Sequence, residues 1–475
     1  MFTKKTKIVA TLGPATSTKE VITQIIEAGV NVCRVNFSHG SYNDHEKTIN
    51  IIREISIEKK LNVAILADLQ GPKIRVGEIE NNGILLENGK DIIFTSTKCI
   101  GNLTKVYISY QNFPKDVSPG ETILLDDGKL NLVIKSTNKK DEVVATVVHG
   151  GKLSSNKGVN LPNTKISLPC LTPKDIEDLN FALKMDVPWI GLSFVRTARD
   201  IIELKHLITE AKSDARVVAK IEKPEAIKEI DDILKVTDAI MVARGDLGVE
   251  IPFQQVPLIQ KMLVKKSMKA GKPVIIATQM MESMIENITP TRAEVTDVAN
   301  AVLDGADAVM LSAETSVGKH PVKVIENMVK IINDVESHES VYNYEFAPEE
   351  DNHDRYITDS ICFNACRLAQ RVNAQAIVTM TFSGYTAFKI SSFRPKAWIF
   401  VFTGNKSILN MLSLVWGVKA FYYDKYVSTD HTIADIKYIL KKEGFVKTKD
   451  LIINIASVPI SEKGQANMMK LSYIE

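Results

Sequence analysis

The chain has 475 residues, of which 45% are hydrophobic and 24% charged, and its formal net charge is +2. This length and composition predict two to four globular domains. A net charge this small creates no extended field of one sign, which argues against nucleic acid and membrane surfaces as partners. No apolar run approaches membrane-spanning length, and the first residues lack the apolar segment of a signal peptide.

The five cysteines form no Cys-x-x-Cys pair. An odd number of cysteines at scattered positions is typical of reduced, mostly buried thiols, and it predicts a cytoplasmic protein. Cys362 and Cys366 lie four residues apart on a predicted helix, where core packing is favoured over metal binding.

Eight short β-branched runs alternate with longer helical patterns from the first residue onward, which is typical of successive βαβ units. Several helical stretches begin with capping-box patterns, at Ser17, Thr172, Thr197 and Thr291. Eight parallel strands with intervening helices predict a closed (β/α)8 TIM barrel over residues 1–69 and 164–337. The eight runs are KIVATLG, VNVCRVNFS, NVAILADLQ, PWIGLSFV, RVVAKIE, DAIMVARGD, PVIIATQM and DAVMLSAE.

Two further segments depart from the barrel pattern. Residues 70–163 show only short strands separated by the turn sequences NNG, ENG, DDG and HGG, which predicts an inserted all-β lid domain. An acidic, aperiodic stretch at 337–355 follows the eighth unit and is interpreted as a linker. Beyond it, residues 356–475 alternate strand and helix patterns and predict a C-terminal α/β domain, doubly wound in type.

Polar residues gather where the predicted barrel strands finish, and in such barrels the loops after the strands build the active site. Alternation along a strand puts Lys220 and Glu222 on the same side. Glu222 and Asp246 end adjacent strands, so their carboxylates can share a divalent cation such as Mg²⁺. Single strand-end polar residues often only meet solvent, but this many at one end predict a functional site. The set is Thr11, Arg34, Asn36, Ser38, Asp68, Lys220, Glu222, Arg244, Asp246, Thr278, Ser312 and Glu314.

The sequence ARGDLGVE after the sixth strand predicts an anion site. Gly245 permits close approach of the backbone, and Asp246 is predicted to open a short helix whose free N–H groups favour a carboxylate or phosphate. Together with Lys220, Arg34 and the two carboxylates, this indicates a substrate that carries both a phosphate and a carboxylate.

Several long motifs occur in a fixed order along the chain. They are KIVATLGPAT, RVNFSHG, DLQGPKIR, KGVNLP, AKIEKPEAI, MVARGDLGVEIP, ATQMMESM, PTRAEVTDVANAVLDGADAVMLSAET and GKHPV. On these motifs the chain resembles the pyruvate kinase family over essentially its whole length. The resemblance implies a cytoplasmic homotetrameric phosphotransferase of glycolysis that converts phosphoenolpyruvate and ADP into pyruvate and ATP.

The resemblance also implies roles for individual residues. Glu222 and Asp246 would hold Mg²⁺, or Mn²⁺ in its place. Lys220, Thr278 and Arg34 would be catalytic, with Lys220 against the transferred phosphoryl group and Thr278 on the path of the proton that reaches the enolate. The substrate would be bound by Arg34, Lys220, Gly245, Asp246, Thr278 and Ser312, with Glu314 beside Ser312, and the nucleotide by His39, Arg75 and Lys157.

The resemblance further implies a monovalent-cation site, formed by Asn36, Ser38, Asp68 and the carbonyl of Leu69. Potassium-dependent members carry a glutamate where this chain has Lys73. An ammonium close to Asp68 would supply the charge that K⁺ otherwise brings, so the chain resembles the potassium-independent subgroup and K⁺ is predicted not to be required. The alternative is a solvated lysine on a turn.

In the C-terminal domain, TFSGYTA at 381–387 resembles the family's effector loop. Its hydroxyls and amides predict a cradle for a phosphorylated small-molecule effector, and an ordinary capped turn is the alternative. The loop at 458–470 lacks the glycine-rich form with Arg and Trp, so a monophosphorylated sugar or nucleotide is as compatible as fructose 1,6-bisphosphate. The cradle residues are Thr381, Ser383, Gly384 and Thr386.

Two other functions stay open at this point. A Mg-dependent barrel lyase or aldolase acting through a pyruvate enolate would need the same carboxylates and anion site, but neither a lid nor a contact with ADP. A non-catalytic metabolite sensor would have lost some of the catalytic residues. Lys220, Glu222, Asp246 and Thr278 are all present.

Overall fold

The structure is a computed structural model that describes residues 4–344, 346–348, 355–425, 428–458 and 464–475. The barrel begins with β1 (Lys7–Thr11), α1 (Lys19–Ala28), β2 (Val32–Asn36), α2 (Tyr42–Glu58) and β3 (Ala64–Asp68). Helix α1 is capped by Thr18, whose hydroxyl accepts the N–H of Val21. The cap predicted at Ser17 is therefore wrong by one residue.

The inserted domain follows β3 and is built from short strands, as predicted. Its main sheet has the order β11-β7-β8-β9-β5-β6, and β10 pairs with β4 in a second small sheet. One four-residue helix, whose first two residues Phe113 and Pro114 are buried, interrupts the strand pattern. The elements are β4 (Ile84–Leu86), β5 (Asp91–Thr95), β6 (Lys105–Tyr107), α3 (Phe113–Asp116), β7 (Thr122–Leu125), β8 (Leu130–Thr137), β9 (Glu142–His149), β10 (Gly151–Leu153) and β11 (Val159–Asn160).

The chain then completes the barrel. The eight strands are hydrogen-bonded in parallel in the closed order β1-β16-β15-β14-β13-β12-β3-β2, which confirms the predicted (β/α)8 fold. Capping boxes at Thr172, Thr197 and Thr291 are also confirmed. The elements are α4 (Pro173–Lys184), β12 (Trp189–Leu192), α5 (Ala198–Glu210), β13 (Arg216–Ile221), α6 (Pro224–Lys228), α7 (Ile230–Val236), β14 (Ala239–Ala243), α8 (Arg244–Glu250), α9 (Val256–Lys269), β15 (Val274–Ala277), α10 (Arg292–Leu303), β16 (Ala308–Leu311), α11 (Ala313–Ser316) and α12 (Pro321–Val335).

The C-terminal domain is a five-stranded sheet in the order β19-β18-β17-β20-β21. Four of its strands are parallel, as predicted, whereas β21 is an antiparallel edge strand that begins within the predicted loop at 458–470. The elements are α13 (Tyr356–Arg371), β17 (Ala376–Met380), α14 (Tyr385–Ser392), β18 (Trp398–Thr403), α15 (Lys406–Met411), β19 (Val418–Tyr422), α16 (Thr429–Lys442), β20 (Leu451–Ala456) and β21 (Met468–Tyr473).

The C-terminal domain packs against the amino end of the barrel. Lys5, just before β1, donates to the carbonyl oxygens of Pro395, Lys396 and Ala397 at 3.1, 2.7 and 2.8 Å. Its ammonium also lies 4.5 Å from the ring centre of Trp398. Burial lowers the pKa of Lys5 to about 7. The opposite, carboxyl end of the barrel stays open toward the lid.

No helix in the described ranges is long and apolar enough to cross a bilayer.

Candidate active site

The polar strand ends meet at the carboxyl end of the barrel. Register pairs Asn36 with Asp68 and Gly191 with Asp68, so the ends of β2, β3 and β12 lie side by side. Lys220 is paired with Met241 on the neighbouring strand. Because all eight strands are parallel, their last residues face one cavity beneath the lid.

Lys220 lies at the centre of this polar cluster. Its Nζ is 3.3 Å from Oδ1 of Asp68 and 3.0 Å from Oε1 of Glu222, and it donates to the hydroxyl of Ser193 at 2.7 Å. Burial by itself would lower the pKa of Lys220, but the two carboxylates outweigh it, and the pKa lies above its usual value. The lysine is therefore a fixed cation in the site.

Asp68 joins Lys220 to Arg34. The Nε and Nη2 atoms of Arg34 lie 2.7 and 2.6 Å from Oδ2 of Asp68, and Nη1 donates to the hydroxyl of Thr11 at 2.9 Å. Burial favours the neutral acid, but Lys220 and Arg34 prevail and the pKa of Asp68 is lowered. A Cβ at Gly191 would lie 2.9 Å from Oδ1 of Asp68, so a glycine is needed there.

Glu222 and Asp246 form the second electrostatic feature. Burial raises the pKa of Glu222, Lys220 opposes this, and the negative charge of Asp246 raises it further. The N–H of Phe194 donates to Oε2 of Glu222 at 2.8 Å. A buried carboxylate and a half-buried one that repel each other fit a divalent cation between them. Mg²⁺ commonly takes one or two carboxylates and completes its shell with phosphate oxygens and water. Within the described residues no group of three or more acids, histidines or cysteines forms a fuller cage.

Thr278 closes the site opposite Gly245. The N–H of Gly245 donates to the Thr278 hydroxyl at 2.7 Å. Thr278 has a φ of +70°, which is strained for a β-branched residue. Arg244 supports this backbone, because it donates to the Thr278 carbonyl at 2.7 Å and pairs with Asp297 at 2.6 Å. Helix α8 begins at Arg244, two residues before the predicted start.

Glu314 and Ser312 lie at the end of the last strand. The N–H of Ser312 donates to Oε2 of Glu314 at 2.7 Å, and the N–H of Met281 donates to Oε1 at 3.2 Å. Burial raises the pKa of Glu314. This carboxylate therefore fixes the loop after β15, in which Thr278 stands.

The residues predicted to contact nucleotide lie around the lid. Arg75 Nη1 donates to the carbonyl of Asn156 at 3.0 Å, and Lys157 pairs with Asp126 at 2.8 Å. Residues Arg75 and Gly158 form an antiparallel bridge, so the two linkers of the lid run together. His39 is exposed after β2.

The residues of the predicted monovalent-cation site are near one another but engaged in other bonds. Oδ1 of Asn36 accepts the N–H of Ser38 at 3.1 Å, and the carbonyl of Leu69 accepts the hydroxyl of Ser193 at 2.6 Å. The cations on Asp68 are Arg34 and Lys220.

The predicted contact between Lys73 and Asp68 is wrong, because the cations against Asp68 are Arg34 and Lys220. Lys73 is exposed in the cleft between lid and barrel, which Asp246 also lines. Its Cε lies 3.6 Å from a Cβ built on Gly158 in the return linker. Among the described residues it forms no ion pair. The Gly-Pro turn before it carries the chain away from the barrel strand.

The residues of the predicted effector loop form a turn. The N–H of Gly384 donates to the Thr381 hydroxyl at 3.1 Å, and Ser383 is exposed. Thr386 is buried, and its hydroxyl is 2.7 Å from that of Thr379, so this residue does not face a ligand at the loop surface. In the second loop, residues 459–463 lie outside the described ranges.

Sequence reasoning missed Ser193 and Gly191. Both stand at the end of the predicted strand PWIGLSFV, the only one of the eight whose end contributed no residue to the predicted set. The strand pattern could have identified both residues, because the end of this strand, like the other seven, faces the cavity.

A closed barrel with an inserted lid and a site that combines a buried cation, an arginine and two carboxylates define an enzyme of the phosphotransferase class. Residues 3–325 match the family model described as "Pyruvate kinase, barrel domain", and residues 359–472 match "Pyruvate kinase, alpha/beta domain". The chain belongs to the pyruvate kinase family.

The similarity to individual relatives extends over nearly the full length of the chain. The pyruvate kinase of Clostridium acetobutylicum is 40% identical over 474 residues, covering 99% of this chain and 100% of the relative. That of Corynebacterium glutamicum is 43% identical over 466 residues, covering 98% and 97%. A solved pyruvate kinase from Cryptosporidium parvum superposes with a TM-score of 0.91 at 34% identity, covering 100% of this chain and 97% of the other.

Proposed function

We propose that this chain performs the reaction of its family, the transfer of the phosphoryl group of phosphoenolpyruvate to ADP, at the cluster around Lys220. The observation that carries the assignment is the Lys220 ammonium fixed between Asp68 and Glu222 at the open end of the barrel. The test is ATP formation from phosphoenolpyruvate and ADP with the purified protein, followed by luminescence. A protein that forms no ATP with Mg²⁺ present would contradict it.

Catalysis of phosphoryl transfer depends mostly on positioning and on neutralising charge. Lys220 acts as a point charge beside the transferred group and the enolate oxygen that develops as the bond breaks. Arg34 binds the phosphoryl oxygens with the N–H groups that Asp68 leaves available. Because Asp68 orients both cations, neither has to move when charge develops.

Glu222 and Asp246 would hold Mg²⁺, with Mn²⁺ as a substitute. When bound, the divalent ion neutralises charge on the phosphoryl group and on the enolate oxygen. The buried position of Glu222 and its charge repulsion with Asp246 support this role, since a bound cation relieves both.

Gly245 and Thr278 bind the substrate carboxylate through the backbone amides of residues 245 and 246 and the Thr278 hydroxyl, with Ser312 nearby. The present bond between Gly245 and Thr278 keeps these donors together before the substrate arrives. Thr278 then lies on the route of the proton that reaches the enolate carbon. Its strained backbone supports this assignment, because such strain concentrates at functional sites.

The lid binds the nucleotide and excludes water from the transferred group. Arg75 and Lys157 on the lid linkers, with His39 on the barrel, contact the phosphates of ADP. For this, Lys157 has to exchange its partner Asp126 for a phosphate. Breaking the ion pair costs little free energy, because the pair is partly exposed to solvent.

We expect full activity with Mg²⁺ in a buffer free of K⁺ and NH₄⁺, with tetramethylammonium to hold the ionic strength. Lys73 supplies a positive charge to the cleft that Asp246 lines, where potassium-dependent members carry a carboxylate. Lys73→Glu is expected to create a requirement for K⁺, measured as the ratio of the rates with and without the ion.

Lys73→Gln is the matched control, since it removes the positive charge without adding a negative one. Strong activation of the unchanged protein by K⁺ would contradict the proposal. A Lys73→Glu variant whose activity does not depend on K⁺ would also contradict the proposal.

A homotetramer in the cytoplasm is the proposed form of the enzyme. A phosphorylated small molecule is proposed to bind near Thr381, Ser383 and Gly384. We expect light scattering after size exclusion to give four times the mass of the 52.7 kDa chain, and a fully active monomer would contradict this. Sugar monophosphates, nucleotides and fructose 1,6-bisphosphate, added one at a time, would identify an effector by its change in cooperativity toward phosphoenolpyruvate.

The lyase or aldolase alternative is not favoured by the comparisons.

The domain boundaries proposed are 1–69 and 164–337 for the barrel, 70–163 for the lid and 356–475 for the C-terminal domain. The ends of the strands and helices described above support them.

A further inference from the structure

Glu250, the last residue of α8, carries a buried carboxylate outside the predicted site. Its side chain is 1% exposed, and its Oε1 lies 2.6 Å from Nζ of Lys223. The side-chain amide of Asn160 donates to the same oxygen at 2.8 Å. These two partners come from different parts of the fold, since Lys223 follows β13 and Asn160 belongs to the lid.

The lid reaches α8 at two adjacent residues. Strand β11, which contains Asn160, pairs with β7 of the lid sheet, so Asn160 moves with the lid. The turn between β7 and β8 comes near Val249, because a Cβ built on Gly128 would lie 3.7 Å from its Cγ1. One hydrogen bond and one close approach of a lid turn therefore place the lid at the end of a single helix.

The same helix and the same loop carry the two carboxylates assigned to the metal. Asp246 is in the first turn of α8, and Glu250 ends that helix four residues later. Lys223 is the chain neighbour of Glu222. The buried ion pair between Lys223 and Glu250 thus ties the backbone after Glu222 to the helix of Asp246, and a buried pair of this kind is strongly sensitive to loss of one partner.

We infer that Glu250 is a positioning residue that couples the placement of the lid to the spacing of Glu222 and Asp246. With Asn160 in contact, the carboxylate of Glu250 is shared between the lid and the barrel, and α8 is held in one place. When the lid swings away, Asn160 leaves, and only Lys223 remains on Glu250. The inference rests on the proposed function, because it assigns the metal to Glu222 and Asp246.

The test is a double-mutant cycle of Asn160→Ala and Glu250→Ala, with kcat and the Mg²⁺ concentration at half-saturation measured for each variant. Asn160→Ala is expected to raise the Mg²⁺ requirement about fivefold, the scale of a typical coupling between sites. In the Glu250→Ala background, Asn160→Ala is expected to cause no further increase in the Mg²⁺ requirement, since the hydrogen-bond partner of Asn160 is absent. Asn102→Ala is the matched control, because that lid asparagine accepts hydrogen bonds only within its own turn.

Melting temperatures separate coupling from loss of fold. If Glu250→Ala does not fold, Glu250→Gln replaces it, which keeps an acceptor for Asn160 and removes the ion pair. In that cycle Asn160→Ala keeps its effect on the Mg²⁺ requirement, while Glu250→Gln raises the requirement by itself. An Asn160→Ala variant that behaves like Asn102→Ala would overturn the inference, as would simple additivity with Glu250→Ala. Failure of the metal assignment is seen separately, as an unchanged metal dependence of Glu222→Gln.

Discussion

Replacement of Lys220 by methionine is expected to lower kcat by about 10³-fold, the scale of losing one preorganised donor to a developing oxyanion. Binding of phosphoenolpyruvate is expected to change far less, because the lysine charge matters most when the enolate forms. Methionine has a similar unbranched shape, so the cavity stays filled. Steady-state kinetics give kcat, and equilibrium titration gives the dissociation constant of the substrate.

Lys7→Met is the matched control for this variant. Lys7 is also a buried lysine of the barrel, but it lies at the amino end of β1 and donates to the carbonyl of Val418. We expect its removal to affect the contact between domains and not the chemistry. Turnover of Lys220→Met within tenfold of the unchanged protein would show that Lys220 has been assigned the wrong role.

Glu222→Gln is expected to raise the Mg²⁺ concentration at half-saturation by more than about tenfold, since loss of even a partner of a metal ligand changes affinity by that much. Glutamine preserves the shape and the acceptor for the Phe194 N–H, but it removes one of the two negative charges. Lys220 would then have only Asp68 as a counter-charge in contact. Activity measured over a range of Mg²⁺ and of Mn²⁺ concentrations gives the requirement for each ion.

Glu225→Gln provides the comparison, because Glu225 lies three residues further along the chain, in the first turn of α6, and has no assigned role. Metal dependence that is the same for both variants and for the unchanged protein would remove Glu222 from the coordination shell. A shift confined to Glu222→Gln would support the assignment over a general effect on the loop.

Most of the fold could be predicted because its strands and helices follow from local sequence patterns. The eight barrel strands are buried on both faces, so they read as continuous β-branched runs, and three of four predicted capping boxes are confirmed. The predicted strands extend beyond the observed ends of β12 and β14. Residues such as Phe194 and Gly245 no longer form strand hydrogen bonds, but they are apolar or small, so the sequence pattern does not mark the end of the strand. Strand β21 was missed because its residues are largely exposed and show no clear alternation.

The candidate site was predictable to the extent that it follows strand ends. Lys220, Glu222, Asp68 and Arg34 meet in the structure as their positions in the strands indicate. What could not be predicted are contacts between distant segments. The position of Lys73 depends on how the two lid linkers pair, and the inward turn of Thr386 depends on Thr379.

The Lys5 contacts have a consequence for the order in which the protein is made. The carbonyl oxygens that accept from Lys5 belong to residues up to 392 positions later in the chain. During synthesis the amino end therefore leaves the ribosome long before its partners exist, and its ammonium stays hydrated until the C-terminal domain has formed. Such long-range closure is slow compared with local folding. A segment that is synthesised late thus completes the burial of one of the first residues.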